Sequence, residues 1–140
     1  MLGQVHDHIV SELRESSRTD TIFVLTAIVF NLIVLAINFG VASEAAADDT
    51  NATYDIILAV FIVMTLALNV IAVAALALGR RTRQMLLRGL VDMYRDNDVD
   101  RYYDPGLMSN YGIRYLLFTG VIAALSTTAI VVPLIVRFTN

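Results

Sequence analysis

Three stretches of this chain carry no charged residue, and each is long enough to cross a bilayer: 21–42, 56–79 and 115–136. At ~1.5 Å of rise per residue each run covers about 33–36 Å as a helix, against a hydrocarbon core of about 30 Å. Buried helices of a water-soluble protein of this size would need polar faces and charged flanks within each run, and none has them. The composition agrees. Hydrophobic residues make up 57% of the 140 and charged residues 16%, where soluble domains run close to half and about a quarter. The expected fold is therefore an all-α integral membrane protein with three transmembrane helices and no room for a second domain.

The arginines give the expected direction. All ten basic residues are arginine. Arg14 and Arg18 precede the first span. Arg80, Arg81, Arg83, Arg88, Arg95, Arg101 and Arg114 lie between the second and third, and only Arg137 lies elsewhere. Positive residues stay on the cytoplasmic side. The reading is thus a plasma (cell) membrane protein with a cytoplasmic N-terminal segment (1–20), an outer loop (43–55), a cytoplasmic connector (80–114) and an outer end (137–140). Residues 1–20 are polar, without the apolar core of a cleavable signal peptide. Arginine in place of lysine, with aspartate far exceeding glutamate, points to a GC-rich or salt-adapted prokaryotic source.

Outside the spans, Val5, Ile9 and Leu13 recur at helical spacing, so 1–20 reads as a short amphipathic helix. Ser16, Ser17, Thr19 and Asp20 supply capping oxygens before the first span. In the connector, Leu86, Leu87, Leu90, Val91, Met93 and Tyr94 continue the second helix as an amphipathic arm. Arg80, Arg81 and Arg83 fall where anionic lipid headgroups lie. Pro105–Gly106 reads as a turn, and Tyr102, Tyr103, Tyr111 and Tyr115 suit an interfacial belt.

Several motifs fail on inspection. Asp96, Asp98 and Asp100 have the first spacings of a calcium loop. Its glycine and twelfth-position glutamate are replaced by Arg101 and Leu107, so a solvated acidic turn is expected. His6 and His8 point in different directions on a helix and lack further ligands. Asn51-Ala-Thr53 is a glycosylation sequon lying very close to the second span. No cysteine is present, which excludes disulfides and thiolate chemistry. No catalytic residue, metal site or cofactor is expected, and a net charge of −3 gives no reason to expect nucleic-acid binding.

The chemistry left to explain lies inside the spans. Asn31 and Asn38 are seven residues apart, nearly two turns, and share a stripe. Thr65 and Asn69 share a face of the second span. Ser126, Thr127 and Thr128 mark the third, beside a small-residue row of Gly120, Ala124 and Thr128 that lets helix backbones approach closely. Unpaired amides in lipid cost several kcal/mol, so these groups face another helix, water or a bound ligand. Pro133 frees a backbone carbonyl near the outer end of the third helix. Polar stripes on all three helices predict association with further copies of the chain.

Two functions fit. The one favoured by the sequence is a small homo-oligomeric channel for monovalent cations. Its neutral pore would be lined by the amides and hydroxyls, and Glu44, Asp48, Asp49 and Asp55 would form an acidic outer rim. The alternative is a non-conducting membrane scaffold or accessory subunit in which the same polar stripes are glue between helices. The spans contain no Asp, Glu, Lys, Arg or His, which argues against proton relays and ion-coupled carriers.

Overall fold

The computed structural model describes residues 2–48, 52–99, 101 and 106–139. It contains three helices, α1 (Leu2–Ala47), α2 (Ala52–Asp96) and α3 (Gly106–Thr139), and no strand among the described residues. Each contains a segment long and apolar enough to cross a membrane. At ~1.5 Å per residue, the 46 residues of α1 and 45 of α2 are about twice as long as the bilayer core requires.

The helices form an up-down-up bundle whose order is fixed by side-chain pairs. Asp20 meets Arg83 and Asn31 meets Asn69, so α1 and α2 are antiparallel. Asp55 meets Arg137 and Arg80 lies over Tyr115, so α2 and α3 are antiparallel too. Thr21 with Arg114 and Asn38 with Ala129 run α1 parallel to α3. The surplus lengths of α1 and α2 therefore project beyond the apolar layer at one end of the bundle, the arginine-rich one. Of the three helix pairs, α2 and α3 are the least intimately packed.

What the bundle buries identifies its solvent. Its small core is Val24, Ala27, Leu76 and Ile122, yet Asn31, Asn38, Thr65 and Asn69 are buried with it. Meanwhile Ile22, Leu25, Val29, Ile33, Val60, Val63, Val70, Leu116 and Leu117 point outward and exposed. Polar groups inside and a continuous aliphatic surface outside is the reverse of a water-soluble bundle. It is the arrangement hydrocarbon favours.

Two local expectations change. No boundary separates residues 1–20 from the first span, because α1 passes through 16–20 without a cap. Within it the Thr21 hydroxyl donates to the Ser17 carbonyl, 3.0 Å away. The outer loop expected at 43–55 is mostly helix, leaving a break only between Ala47 and Ala52. Asp49, Asn51, Asp100, Tyr102, Tyr103, Pro105 and the side chain of Leu107 lie outside the described residues.

The end of α2 explains one of the acidic residues. Asp98 has φ of 58°, its N–H donates to the Arg95 carbonyl (3.1 Å), and the Val99 N–H donates to that of Tyr94 (3.0 Å). That pair of bonds around a left-handed residue is a Schellman C-cap. Aspartate is among the few non-glycine residues that tolerate the conformation, so Asp98 serves as a helix stop.

Candidate functional site

The polar groups of the spans are joined in a ladder that runs the length of the bundle. At mid-depth Asn31 on α1 and Asn69 on α2 form a reciprocal amide pair. Asn31 Nδ2 donates to Asn69 Oδ1 at 2.8 Å, and Asn69 Nδ2 donates to Asn31 Oδ1 at 3.0 Å. Each amide has a second N–H, and both are placed. Asn31 Nδ2 also donates to the Ala27 carbonyl (2.8 Å), and Asn69 Nδ2 to that of Thr65 (2.8 Å). The Thr65 hydroxyl bonds back to the Phe61 carbonyl at 2.7 Å. An amide has two donors, so this pair has no N–H left to offer water or an ion.

About 10 Å further toward the Ala47 end of α1, at ~1.5 Å per residue, Asn38 Nδ2 donates to the Ala129 carbonyl of α3 at 3.2 Å. That carbonyl lies four residues before Pro133, the residue that has no N–H to close the helical bond. Asn38, Ala129 and Pro133 are all fully buried. The side chain on α1 thus occupies the acceptor that the proline on α3 left open. Asn38 Oδ1 has no donor among the described residues.

At the arginine-rich end, Arg83 is 7% exposed and its Nη2 makes an ion pair with Asp20 of α1. Arg83 Nη2 also lies 3.5 Å from Ser16 Oγ, and its guanidinium lies 5.5 Å from the Tyr111 ring centroid of α3. Removing one member of a buried ion pair strands the other and costs about 3–5 kcal/mol. The approach of Asp20 depends on Gly79, where a Cβ would stand 2.7 Å from Asp20 Oδ1. Of the arginines expected at headgroup level, Arg81 is exposed and Arg80 is exposed with its guanidinium 5.0 Å from the Tyr115 ring centroid. Arg83 is held inside the bundle. Beyond the apolar layer, His6 Nε2 and the Tyr94 hydroxyl are 3.0 Å apart and tie the α1 and α2 extensions together.

At the other end, Asp55 on α2 and Arg137 on α3 form a bidentate pair, with Nε donating to Oδ1 at 2.6 Å and Nη2 to Oδ2 at 3.0 Å. The hydrogen bonds from Arg137 hold the Asp55 carboxyl below the ordinary aspartate range. Asp55 thus has a cationic partner from another helix, which the loop sequence by itself did not reveal. Glu44 and Asp48 are exposed, and Asp49 lies outside the described residues.

The third-span residues stand apart from this ladder. Thr127 and Thr128 are exposed and their hydroxyls bond back to Ala123 (2.8 Å) and Ala124 (2.9 Å). Gly120 and Ala124 are exposed, with nothing near the position a Gly120 Cβ would take. Ser126 and Thr127 instead line an open groove of about 500 Å³ between α2 and α3, with Asn69, Ala74, Ala77 and Ala123. Among the described residues no cluster of His, Cys, Asp or Glu could hold a metal.

Besides the Asp55–Arg137 pair, sequence reasoning missed two further links of the ladder. The Asp20–Arg83 pair joins residues 63 apart in sequence, with Gly79 as its one local sign. The Asn38–Ala129 link could have been sought from Pro133, since a buried helix proline needs a donor from a neighbour. Compared with protein-family models, curated proteins and solved structures, the chain matches none. The geometry therefore stands on its own: three apolar helices clamped together by polar ties from one end of the bundle to the other.

Proposed function

We propose that the protein is a small non-conducting membrane scaffold. In this reading it lies in the plasma membrane of a prokaryote and associates with further copies of itself. The N-terminus and the extended ends of α1 and α2 face the cytoplasm, and Ala47, Ala52 and the end of α3 face outside. The arginine distribution supports that direction, since every arginine but Arg137 belongs to the first tail or the connector. The observation that carries the scaffold reading is the reciprocal Asn31–Asn69 pair, whose four donor hydrogens are all placed within one chain. Amides used in that way stiffen a bundle and do not wet a pore. The bidentate Asp55–Arg137 pair acts in the same sense, because a neutralised carboxylate adds little to a cation-attracting rim. The clamped arms then present a rigid, charged surface to cytoplasmic partners.

A channel built from several copies is the second reading, favoured by the α2–α3 groove that Ser126 and Thr127 line. A ring closing over that groove would have those residues available to line it. Reconstitution separates the two. Wild-type protein in liposomes is expected to pass potassium, sodium and calcium no faster than protein-free liposomes. Flux that is saturable and lost on Ser126→Leu or Thr127→Leu would overturn the scaffold in favour of the channel.

A further inference from the structure

We propose that a cleft between α2 and α3 at the arginine-rich end is a binding site for a phosphate-type oxyanion, carried by an anionic lipid headgroup or free in solution. The cleft holds about 70 Å³, and around the aliphatic Leu87 its lining includes Arg80, Arg83, Gln84, Arg88, Tyr111 and Gly112. A single ordered water needs only ~10–15 Å³ of such space, so the site has room for one tetrahedral oxyanion. Its walls follow from helix geometry: positions 80, 84 and 88 form one i, i+4 row on α2, and 83 stands beside it. Facing them, Gly112 leaves the floor open, with its missing Cβ 3.6 Å from Arg80 Nη2.

Charge and hydrogen-bonding capacity both point to an anion. Three arginines line the cleft, and Asp20 balances Arg83, leaving the charge of Arg80 and Arg88 without a carboxylate partner among the described contacts. Among the described residues no carboxylate lines the cleft. Arg83 Nε is buried and has no acceptor among the described residues. A buried charged donor left unmade is costly, so this end of the bundle carries more guanidinium donors than the chain's own acceptors meet. Guanidinium forks suit phosphate oxygens bidentately, and Gln84 and the Tyr111 hydroxyl add neutral donors. The depth fits a headgroup, because Arg80 follows directly on the last residue of the charge-free second span.

The test uses the full chain in mixed micelles of phosphatidylglycerol and phosphatidylcholine, with lipid retention read by native mass spectrometry. A second arm measures thermal unfolding in inorganic phosphate against chloride at equal ionic strength. Wild type is expected to retain phosphatidylglycerol selectively or to be stabilised by phosphate, the first identifying a lipid as the source and the second a free anion. Each charge-assisted contact contributes about 1.5–3 kcal/mol, so Arg88→Gln should weaken the responding arm by about tenfold or more. Gly112→Leu, which fills the cleft without removing a charge, should do the same. Arg81→Gln, one position from Arg80 but outside the cleft, should leave the response within about twofold, as expected of a surface charge. Equal loss in Arg81→Gln and Arg88→Gln would reduce the effect to bulk surface charge and overturn the site. So would a Gly112→Leu variant that binds like wild type, or no preference for either probe.

Discussion

Pro133 and Asn38 make each other tolerable. A proline inside a helix leaves the carbonyl four residues earlier without a donor, and in hydrocarbon no water can replace it. Here the orphan is Ala129, and Asn38 supplies the N–H at 3.2 Å. Asn38 on its own is a poor residue for the site, since its Oδ1 is buried without a donor among the described residues. The expected outcome is a coupled pair. Asn38→Leu should destabilise the protein by about 1–3 kcal/mol, the cost of a buried polar group left unmade. In a Pro133→Ala background the restored backbone N–H closes the helical bond itself, and Asn38→Leu should cost markedly less. Unfolding of the four proteins by denaturing detergent in mixed micelles measures the coupling. Additive effects would show that Asn38 does not serve the proline. Asn31 and Asn38 stood out in the sequence because amides are rare in such runs, so the residues were legible. Their partners were not, since sequence spacing carries no information about which helix lies opposite.

At the scale of the elements, the charge-free runs located all three helices, because burial of backbone polar groups in lipid leaves a helix little alternative. Helix ends were harder. Ser16, Ser17, Thr19 and Asp20 are good capping residues, yet α1 runs through them, because Asp20 is drawn to Arg83 and the extension lies along α2. A long-range ion pair overrides a local capping preference that is worth only about 1 kcal/mol. The same kind of pair fastens the opposite end. Arg137 holds Asp55 across α2 and α3, and the carboxyl is lowered below its ordinary value. A depressed aspartate contributes stability that is present above its unfolded value. That contribution is lost as pH falls from about 4, through the lower folded value. Wild-type thermal stability should therefore decline in that window more steeply than that of Asp55→Asn, and the difference should shrink in high salt because the carboxylate is half-exposed. Parallel pH profiles for the two proteins would mean that the pair does not fasten this end of the bundle.

For the whole molecule, the distribution of polar ties predicts which face the proposed self-association would use. The ties of α1 to α2 and α3 recur along the bundle, at Asp20, Thr21, Asn31 and Asn38. Between α2 and α3 the contacts gather near the two ends, at Arg80–Tyr115 and Arg83–Tyr111 on one side and Asp55–Arg137 on the other. The middle is the open groove lined by Ala74, Ala77, Ala123, Ser126 and Thr127. Small residues and hydroxyls let another helix approach closely and hydrogen-bond, whereas branched aliphatic side chains hold it off or leave the contact to lipid. The outer face of α1, with Ile22, Leu25, Val29 and Ile33 exposed, has the second character. Because the chain contains no cysteine, the two faces can be compared with single substitutions on a silent background. Thr127→Cys in native membranes should cross-link to a second copy under mild oxidation, and Leu25→Cys should not. A dimer band from Leu25→Cys as strong as that from Thr127→Cys would reject the groove as the docking face. A monomer from both would reject self-association through either face and leave the groove to lipid or to a partner of another kind.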